Sequence, residues 1–180
     1  MAAILRETRR FSAILAICLA ATASAEVPSA REVLDGALAE AKAEHKNVLV
    51  HFGASWCTWC RHLDAMLEGP ELGALFHDNY VIAHLTIMES DDKKALENPG
   101  AQELAEGSVG EIDGVPFYVF FDSDGNRLAS SNAMPNGGNI GHPVTRQEIE
   151  AFVGLLEKTA PRMTAADLDE VADYLAKQKH

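Results

Sequence analysis

Two cysteines separated by two residues are the part of this sequence whose chemistry is easiest to define. Cys57 and Cys60 form a C-x-x-C motif, and this spacing places the two sulfurs within bridging reach. A disulfide between them would close almost no loop, so it would stabilise the fold little. A structural zinc site needs four ligands, and the sequence contains no second C-x-x-C. The motif therefore predicts a redox-active dithiol.

The residues after Cys57 predict how the two thiols differ. Cys60, Leu63 and Leu67 recur at helical spacing, so we predict a helix from Cys57 to about Leu67. At a helix N-terminus the backbone N–H groups and the positive end of the macrodipole favour a thiolate. We expect Cys57 to be the more exposed thiol and to attack a partner's disulfide. Cys60 lies one turn further in, and we expect it to resolve the mixed disulfide.

Helices and strands alternate around this motif. Capping boxes at Ser29 and Thr145 begin two of the predicted helices, and short apolar runs bounded by turns mark the strands. A turn at 122–125 predicts that the last two strands form a hairpin. The predicted helices are 30–45, 57–67, 101–106, 145–159 and 164–177, and the predicted strands are 48–52, 80–88, 117–121 and 127–131. This order indicates an α/β fold with a mixed sheet.

Three segments, in this order along the chain, resemble the thioredoxin superfamily. Residues 48–60 are similar to its buried strand and active-site turn, and Gly114-Val115-Pro116 is similar to its cis-proline loop. Residues 117–125 are similar to the strand and hairpin that follow. The resemblance covers residues 30–159 and implies a thioredoxin-like fold, with a central mixed sheet flanked by helices. Residues 160–180 would add a C-terminal helical extension.

The resemblance also implies roles for individual residues. Cys57 would be the nucleophile, and Cys60 would be the resolving cysteine. Pro116 would form the cis peptide bond, and Val115 would offer backbone hydrogen bonds to a bound peptide. The redox-active Cys57–Cys60 disulfide would serve without a bound cofactor or metal.

Three further residues near the motif are candidates for the site. Trp56 and Trp59 flank the cysteines and are candidates for an apolar platform under a substrate peptide, although packing alone is the alternative for Trp56. His51 occupies the position of the buried acid of thioredoxins. Imidazole exchanges protons near neutral pH, so His51 is a candidate proton shuttle for Cys60. An ordinary core histidine is the alternative.

Departures from the thioredoxin pattern bear on the direction of electron flow. The dipeptide Thr58-Trp59 adds no cation between the cysteines, whereas His51 removes a negative charge near the sulfurs. These opposing effects predict a reduction potential between roughly −270 mV, typical of thioredoxin, and roughly −120 mV, typical of a strong periplasmic oxidant. Such a potential favours a reductase or an isomerase that a membrane partner keeps reduced.

Residues 1–25 have the pattern of a cleaved secretory signal. Arg6, Arg9 and Arg10 precede an apolar run at 11–21, and the segment ends in Ala23-Ser24-Ala25. The run is shorter than the roughly 20 residues that cross a bilayer, so we expect no direct membrane insertion. Cleavage would leave a domain of residues 26–180 in the periplasm or outside the cell, where disulfides persist.

Composition and charge restrict the partners. The chain has 180 residues, of which 47% are hydrophobic, as expected for one globular domain. Its formal net charge is −12, and the first 25 residues carry +2, so the remainder carries −14. Nucleic-acid binding depends on Lys and Arg at phosphates, so nucleic acid is not expected as a partner. We expect a monomer that acts on exported cysteine-containing proteins and exchanges electrons with a redox partner protein.

These observations together predict a thiol–disulfide oxidoreductase, either a reductase or an isomerase. Two alternatives remain open from the sequence. One is a non-catalytic thioredoxin-fold binding module or chaperone, which reduction of insulin would distinguish. The other is a metallochaperone that uses Cys57, Cys60 and a histidine, which titration with copper or zinc would test.

Overall fold

A computed structural model describes residues 26–178 of the chain. The predicted signal peptide at 1–25 lies outside the described residues. Within the described range, no helix combines the length and the apolar character needed to cross a membrane.

Four strands form one mixed sheet in the order β2-β1-β3-β4. The strands are β1 (Asn47–Gly53), β2 (Tyr80–Thr86), β3 (Phe117–Phe121) and β4 (Arg127–Ser130). β1 runs parallel to β2 and antiparallel to β3, and β3 pairs with β4 as an antiparallel hairpin. The predicted α/β architecture with a mixed sheet and a hairpin at one edge is therefore confirmed.

The described chain also forms six α-helices. They are α1 (Ala30–Glu44), α2 (Thr58–Glu68), α3 (Gly73–Asn79), α4 (Ala101–Val109), α5 (Arg146–Thr159) and α6 (Ala165–Lys177). Both predicted capping boxes form, at Ser29 and Thr145. A third capping box at Thr164 begins α6. Local side-chain chemistry thus sets where these helices begin.

Two helical segments lie where the sequence analysis predicts none. α3 begins at Gly73, and its N-cap residue, Leu72, makes no side-chain cap hydrogen bond. The turn from α2 into α3 is tight, because a Cβ added to Gly73 would lie 2.9 Å from the backbone carbonyl carbon of Glu68. A 3₁₀ helix spans Asp91–Leu96 and buries no residue. Neither segment shows the caps or the apolar periodicity that reveal a helix in a sequence.

The alternation of side chains along β1 divides the core into two parts. Val48, Val50 and Phe52 pack on the face covered by α1 and α4. Leu49 packs on the opposite face, with α2, α3, α5 and α6. Because side chains alternate along a strand, His51 projects to the same face as Leu49. This is the face that α2 covers, so the strand brings His51 toward the helix that carries the cysteines.

The C-terminal helix packs into the second part of the core. Val171 and Leu175 of α6 are buried in one cluster with Phe152 and Leu156 of α5. Arg162, in the turn between α5 and α6, donates hydrogen bonds to backbone carbonyls at the ends of α1 and α3. The last helix therefore buries one face against α5, whereas the division into a core at 30–159 and an extension at 160–180 stays a prediction.

Candidate active site

The start of α2 carries the dithiol. Cys57 and Cys60 form a disulfide with an S–S distance of 2.14 Å and a Cα–Cα distance of 5.3 Å. Cys57 is the N-cap of α2, and its Sγ accepts a hydrogen bond from the backbone N–H of Cys60 at 3.0 Å. Oxygen atoms usually accept this N-cap hydrogen bond. A sulfur in this position meets donors and a helix dipole that would favour its thiolate after reduction.

Exposure does not distinguish the two cysteines. Cys57 and Cys60 are each 3% exposed. The expectation that Cys57 is the more exposed residue is therefore wrong for the oxidised protein, in which the two sulfurs are bonded to each other and both residues are buried. The asymmetry between the cysteines lies instead in the hydrogen bond that the Cys57 sulfur accepts.

A groove next to Trp59 is built around the proline loop. The Val115–Pro116 peptide bond is cis, and both residues line this groove of 390 Å³ together with Trp59. Asn139 donates from Nδ2 to the Pro116 carbonyl at 3.0 Å and lines the groove with His142. Sequence reasoning missed Asn139 and His142, because the glycine-rich composition of their segment predicts only a loop. The structure thus places Trp59, Val115 and Pro116 together, as a peptide seat requires.

The two tryptophans have different surroundings. The Trp59 ring stacks on His142, with ring centroids 5.8 Å apart and an interplanar angle of 19°. Trp56 donates from Nε1 to the Met88 carbonyl at 2.8 Å. Both indoles remain substantially exposed. Trp59 is among the described residues that line the groove, and Trp56 is not among them. The structure therefore does not bring Trp56 to the proline loop.

His51 is buried behind the disulfide. It is 2% exposed, and its Nδ1 lies 2.8 Å from Asp64 Oδ1. Its Nε2 has no hydrogen-bond partner among the described residues. A Cβ added to Gly53 would lie 3.4 Å from His51 Nε2 and 3.4 Å from Cys60 Sγ. His51 Nε2 and Cys60 Sγ therefore approach the same side of Gly53, and Nε2 is the imidazole nitrogen without a partner among the described residues.

Two residues that sequence reasoning missed complete a polar cluster with His51. Asp64 projects from α2 and His84 from β2, and His84 Nδ1 lies 3.4 Å from both Asp64 Oδ1 and His51 Nδ1. Burial raises the pKa of Asp64, but the hydrogen bond and charge of His51 and the charge of His84 outweigh it, so the pKa lies below its ordinary value. Sequence reasoning could have found this cluster only from the pairing of His51 with His84. That pairing is known only once the register between β1 and β2 is known.

A buried carboxylate fixes the loop between β1 and α2. Glu89 is buried and accepts hydrogen bonds from the backbone N–H and from the hydroxyl of Ser55. Lys93 Nζ donates to Ser55 Oγ at 3.3 Å. Ser55 precedes Cys57 by two residues, so these bonds hold the segment that presents the dithiol. Sequence reasoning missed Glu89, because the segment after β2 has the composition of a solvated loop.

In residues 26–178, one group of three metal-ligating side chains has its ligand atoms close enough together to hold a single ion. The group is His51, Asp64 and His84, whose ligand atoms all lie within 4.8 Å of one another. In this part of the chain neither cysteine belongs to such a group. The two sulfurs are bonded to each other in this structure, so the metallochaperone alternative, which requires the reduced thiols and a histidine, stays a prediction.

The chain is similar to a known protein family and to a known disulfide bond reductase. The model of the thioredoxin-like family matches residues 30–123, slightly more than half of the chain. The chain is similar to the disulfide bond reductase DsbH of Chlamydia pneumoniae, with 29% identity over 107 residues. That match covers 57% of this chain and 61% of the relative, so it spans about three fifths of the relative's length.

Solved structures with similar folds have low sequence identity to this chain. The disulphide isomerase from Xylella fastidiosa Temecula1 is 24% identical with a TM-score of 0.47, and the match covers 82% of this chain and 89% of that one. A thioredoxin from Thermus thermophilus is 21% identical with a TM-score of 0.43, covering 72% and 83%. The family model, in contrast, matches more than half of the chain. With its mixed sheet, its C-x-x-C at the start of α2 and its proline loop, the chain belongs to the thioredoxin-like family.

Proposed function

We propose that this protein is a thiol–disulfide oxidoreductase that reduces or isomerises disulfides of exported proteins. The observation that carries the proposal is the Cys57 sulfur at the N-cap of α2, where it accepts the N–H of Cys60. The similarity to a protein described as a disulfide bond reductase supports the same activity.

The first step is attack by the reduced protein on a substrate disulfide. The Cys57 thiolate, favoured by the N–H donors and the dipole of α2, attacks one sulfur of the substrate. A bond forms between Cys57 and that sulfur, the substrate S–S bond breaks, and the second substrate sulfur leaves as a thiolate. The product is a mixed disulfide between the protein and its substrate.

The second step releases the substrate and requires loss of the Cys60 proton. We assign His51 as the acceptor of this proton, because its unpartnered Nε2 and the Cys60 sulfur approach the same side of Gly53. The Cys60 thiolate then attacks the Cys57 sulfur, and the remaining substrate sulfur leaves. Two electrons have passed to the substrate, and the protein is left with the Cys57–Cys60 disulfide seen in the structure.

The groove next to Trp59 is the proposed seat for the substrate chain. Val115 offers backbone hydrogen-bonding groups to an extended peptide, and Pro116 has no N–H to present beside the sulfurs. The exposed face of Trp59 supplies apolar contact area. Asn139 maintains this arrangement through its bond to the Pro116 carbonyl. We assign Trp56 a contact outside the groove, with the part of the substrate chain that lies against the loop before Cys57.

The compartment and the partners are part of the proposal. We assign the mature chain, residues 26–180, to the periplasm or the cell exterior, with residues 1–25 acting as the signal. A reductase in an oxidising compartment needs a source of electrons, so a redox partner protein must return the disulfide to the dithiol. A partner in the membrane suits that task because it can draw electrons from the cytoplasm.

Reduction of insulin disulfides by dithiothreitol tests the activity. We expect the wild-type chain to accelerate the precipitation of insulin and Cys57→Ser to abolish the acceleration. Glu157→Gln, at an exposed position of α5, is the control and should leave the acceleration unchanged. Refolding of a protein with scrambled disulfides then separates an isomerase from a reductase. Wild-type protein without any effect on insulin would contradict the proposal and favour a binding module.

A further inference from the structure

We propose that His51, Asp64 and His84 form a binding site for one divalent transition metal ion, with Zn²⁺ as the representative ion. The site lies behind the dithiol and uses neither cysteine. Two imidazoles and one carboxylate are ligands that Zn²⁺ and neighbouring transition metals accept, whereas Mg²⁺ and Ca²⁺ prefer a shell of oxygen atoms.

The separations of the three ligand atoms fit a tetrahedral ion. His51 Nδ1 and Asp64 Oδ1 are 2.8 Å apart, and His84 Nδ1 lies 3.4 Å from each of them. A tetrahedral Zn²⁺ with bonds of about 2.0–2.1 Å separates its ligand atoms by about 3.3–3.4 Å. Two of the three separations match this value, and a small outward movement of Asp64 on α2 brings the third into range.

The other ring nitrogen of His84 has the partner that a metal ligand needs. His84 Nε2 lies 3.3 Å from Glu68 Oε1, and the second carboxylate oxygen of Glu68 lies 2.6 Å from His77 Nε2. A ligating histidine usually donates its remaining N–H to a carboxylate, which fixes its tautomer and leaves the other nitrogen free to bind the ion. Glu68 therefore orients Nδ1 of His84 toward the proposed ion.

The scaffold holds the ligands on regular elements and leaves a path to solvent. His51 and His84 are register partners on the parallel strands β1 and β2, and Asp64 lies on α2. All three residues line a cavity of 380 Å³ that also reaches Cys60. An ion with three protein ligands would keep its fourth position open toward this cavity, as in sites that bind an exchangeable water.

The ion and the proton of Cys60 would compete for the same imidazole. Binding through Nδ1 leaves the proton of a neutral His51 on Nε2, the nitrogen that approaches the same side of Gly53 as the Cys60 sulfur. A ring in this form cannot accept another proton while it holds the ion. This consequence, unlike the site itself, rests on the proposed function, because it assumes that His51 receives the Cys60 proton.

Zinc binding to the oxidised protein tests the site without involving the dithiol. The full chain carrying Cys18→Ser is oxidised at Cys57 and Cys60, so that no free thiol remains, and competes for Zn²⁺ with a chromophoric chelator. We expect one ion per chain, and a Zn²⁺-dependent rise in Tm because the ion binds the folded state. Asp64→Asn and His84→Gln should each weaken binding by about 100-fold or more, whereas Glu68→Gln should weaken it by about 10-fold.

Matched controls separate this site from adventitious binding. His45→Asn removes an exposed histidine whose left-handed backbone conformation (φ 56°) asparagine tolerates, and it should leave zinc affinity unchanged. Asp64 and His84 are partly exposed, so their variants should fold, which circular dichroism checks. Wild-type protein that fails to compete with the chelator overturns the proposal, as do Asp64→Asn and His84→Gln variants that bind like wild type. Because the measurement needs no turnover, either result is independent of the insulin assay.

Discussion

Cys57 and Cys60 are equally buried as a disulfide, yet the hydrogen bond from the Cys60 N–H reaches the Cys57 sulfur. The same N–H belongs to the first turn of α2, and we expect it to donate to a Cys57 thiolate after reduction. Cys60 lies inside the helix, where its sulfur faces the side of Gly53 that His51 occupies. The difference in reactivity is therefore expected to come from hydrogen bonding and the helix dipole.

We expect Cys57 to alkylate faster than Cys60 in the reduced protein near neutral pH. The reason is the larger thiolate fraction at the helix N-cap. Iodoacetamide labelling for short times, followed by peptide mass spectrometry, measures the two rates in one sample. Cys60→Ser should accumulate mixed disulfides through Cys57, and Cys57→Ser should not. Equal labelling rates, or faster labelling of Cys60, would contradict the assignment of the attacking cysteine.

Residues with a local sequence signature could be predicted, whereas residues that depend on register could not. Cys57 and Cys60 are identified by their spacing, and Pro116 by the valine before it and the apolar strand after it. Asp64 and His84 are distant in sequence, and they meet His51 only because β1 pairs with β2 and α2 crosses that face of the sheet. No local pattern records such a contact.

At the scale of elements, the helices predicted from capping boxes begin where those boxes are found. In α5 the Thr145 hydroxyl accepts the Glu148 N–H at 3.3 Å, and Glu148 Oε2 accepts the N–H groups of Thr145 and Val144 at 2.7 and 3.0 Å. Three backbone donors are satisfied at one helix end. α3 has no such cap and buries Phe76 through packing alone, so only the tertiary structure reveals it.

Glu148→Gln should lower stability near neutral pH by about 0.5–1 kcal/mol, a modest loss because the carboxylate is partly exposed. Burial raises the pKa of Glu148. The hydrogen bonds from Thr145 and Val144 lower it by more than burial raises it, so the pKa lies below its ordinary value of 4.5. The folded state therefore favours the charged carboxylate. Its contribution is fully present above pH 4.5 and is lost as pH falls through the folded-state pKa.

Urea unfolding of wild type and Glu148→Gln at several pH values measures this contribution. The gap in free energy of unfolding should be widest near neutral pH and should narrow in acid, where the wild-type carboxyl is protonated. Glu157→Gln, at an exposed position of the same helix, is the matched control and should show no such narrowing. A gap that stays constant down to acidic pH would contradict the role of the charged cap.

At the scale of the molecule, the sheet separates two apolar layers, and α6 belongs to the layer behind the active-site helix. The side chains of Val171 and Leu175 lie in the same buried cluster as Leu63 and Met66 of α2. The sequence predicts α6 from its periodicity, but it does not show whether the helix is an appendage or part of the core. Burial in a shared cluster indicates that the helix and the dithiol scaffold unfold together.

Leu175→Ala should therefore destabilise the whole described domain by about 2–5 kcal/mol, the cost of truncating a fully buried leucine. Thermal and urea unfolding, followed by far-ultraviolet circular dichroism and by tryptophan fluorescence, measure it. Trp56 and Trp59 flank the cysteines in the sequence, so fluorescence reports on the active-site region. We expect both probes to shift together to lower stability.

Glu170→Ala, at an exposed position of α6, should change the free energy of unfolding by less than about 0.5 kcal/mol. If Leu175→Ala produced a separate early transition in circular dichroism and left the fluorescence midpoint unchanged, α6 would instead be an independent extension of the domain.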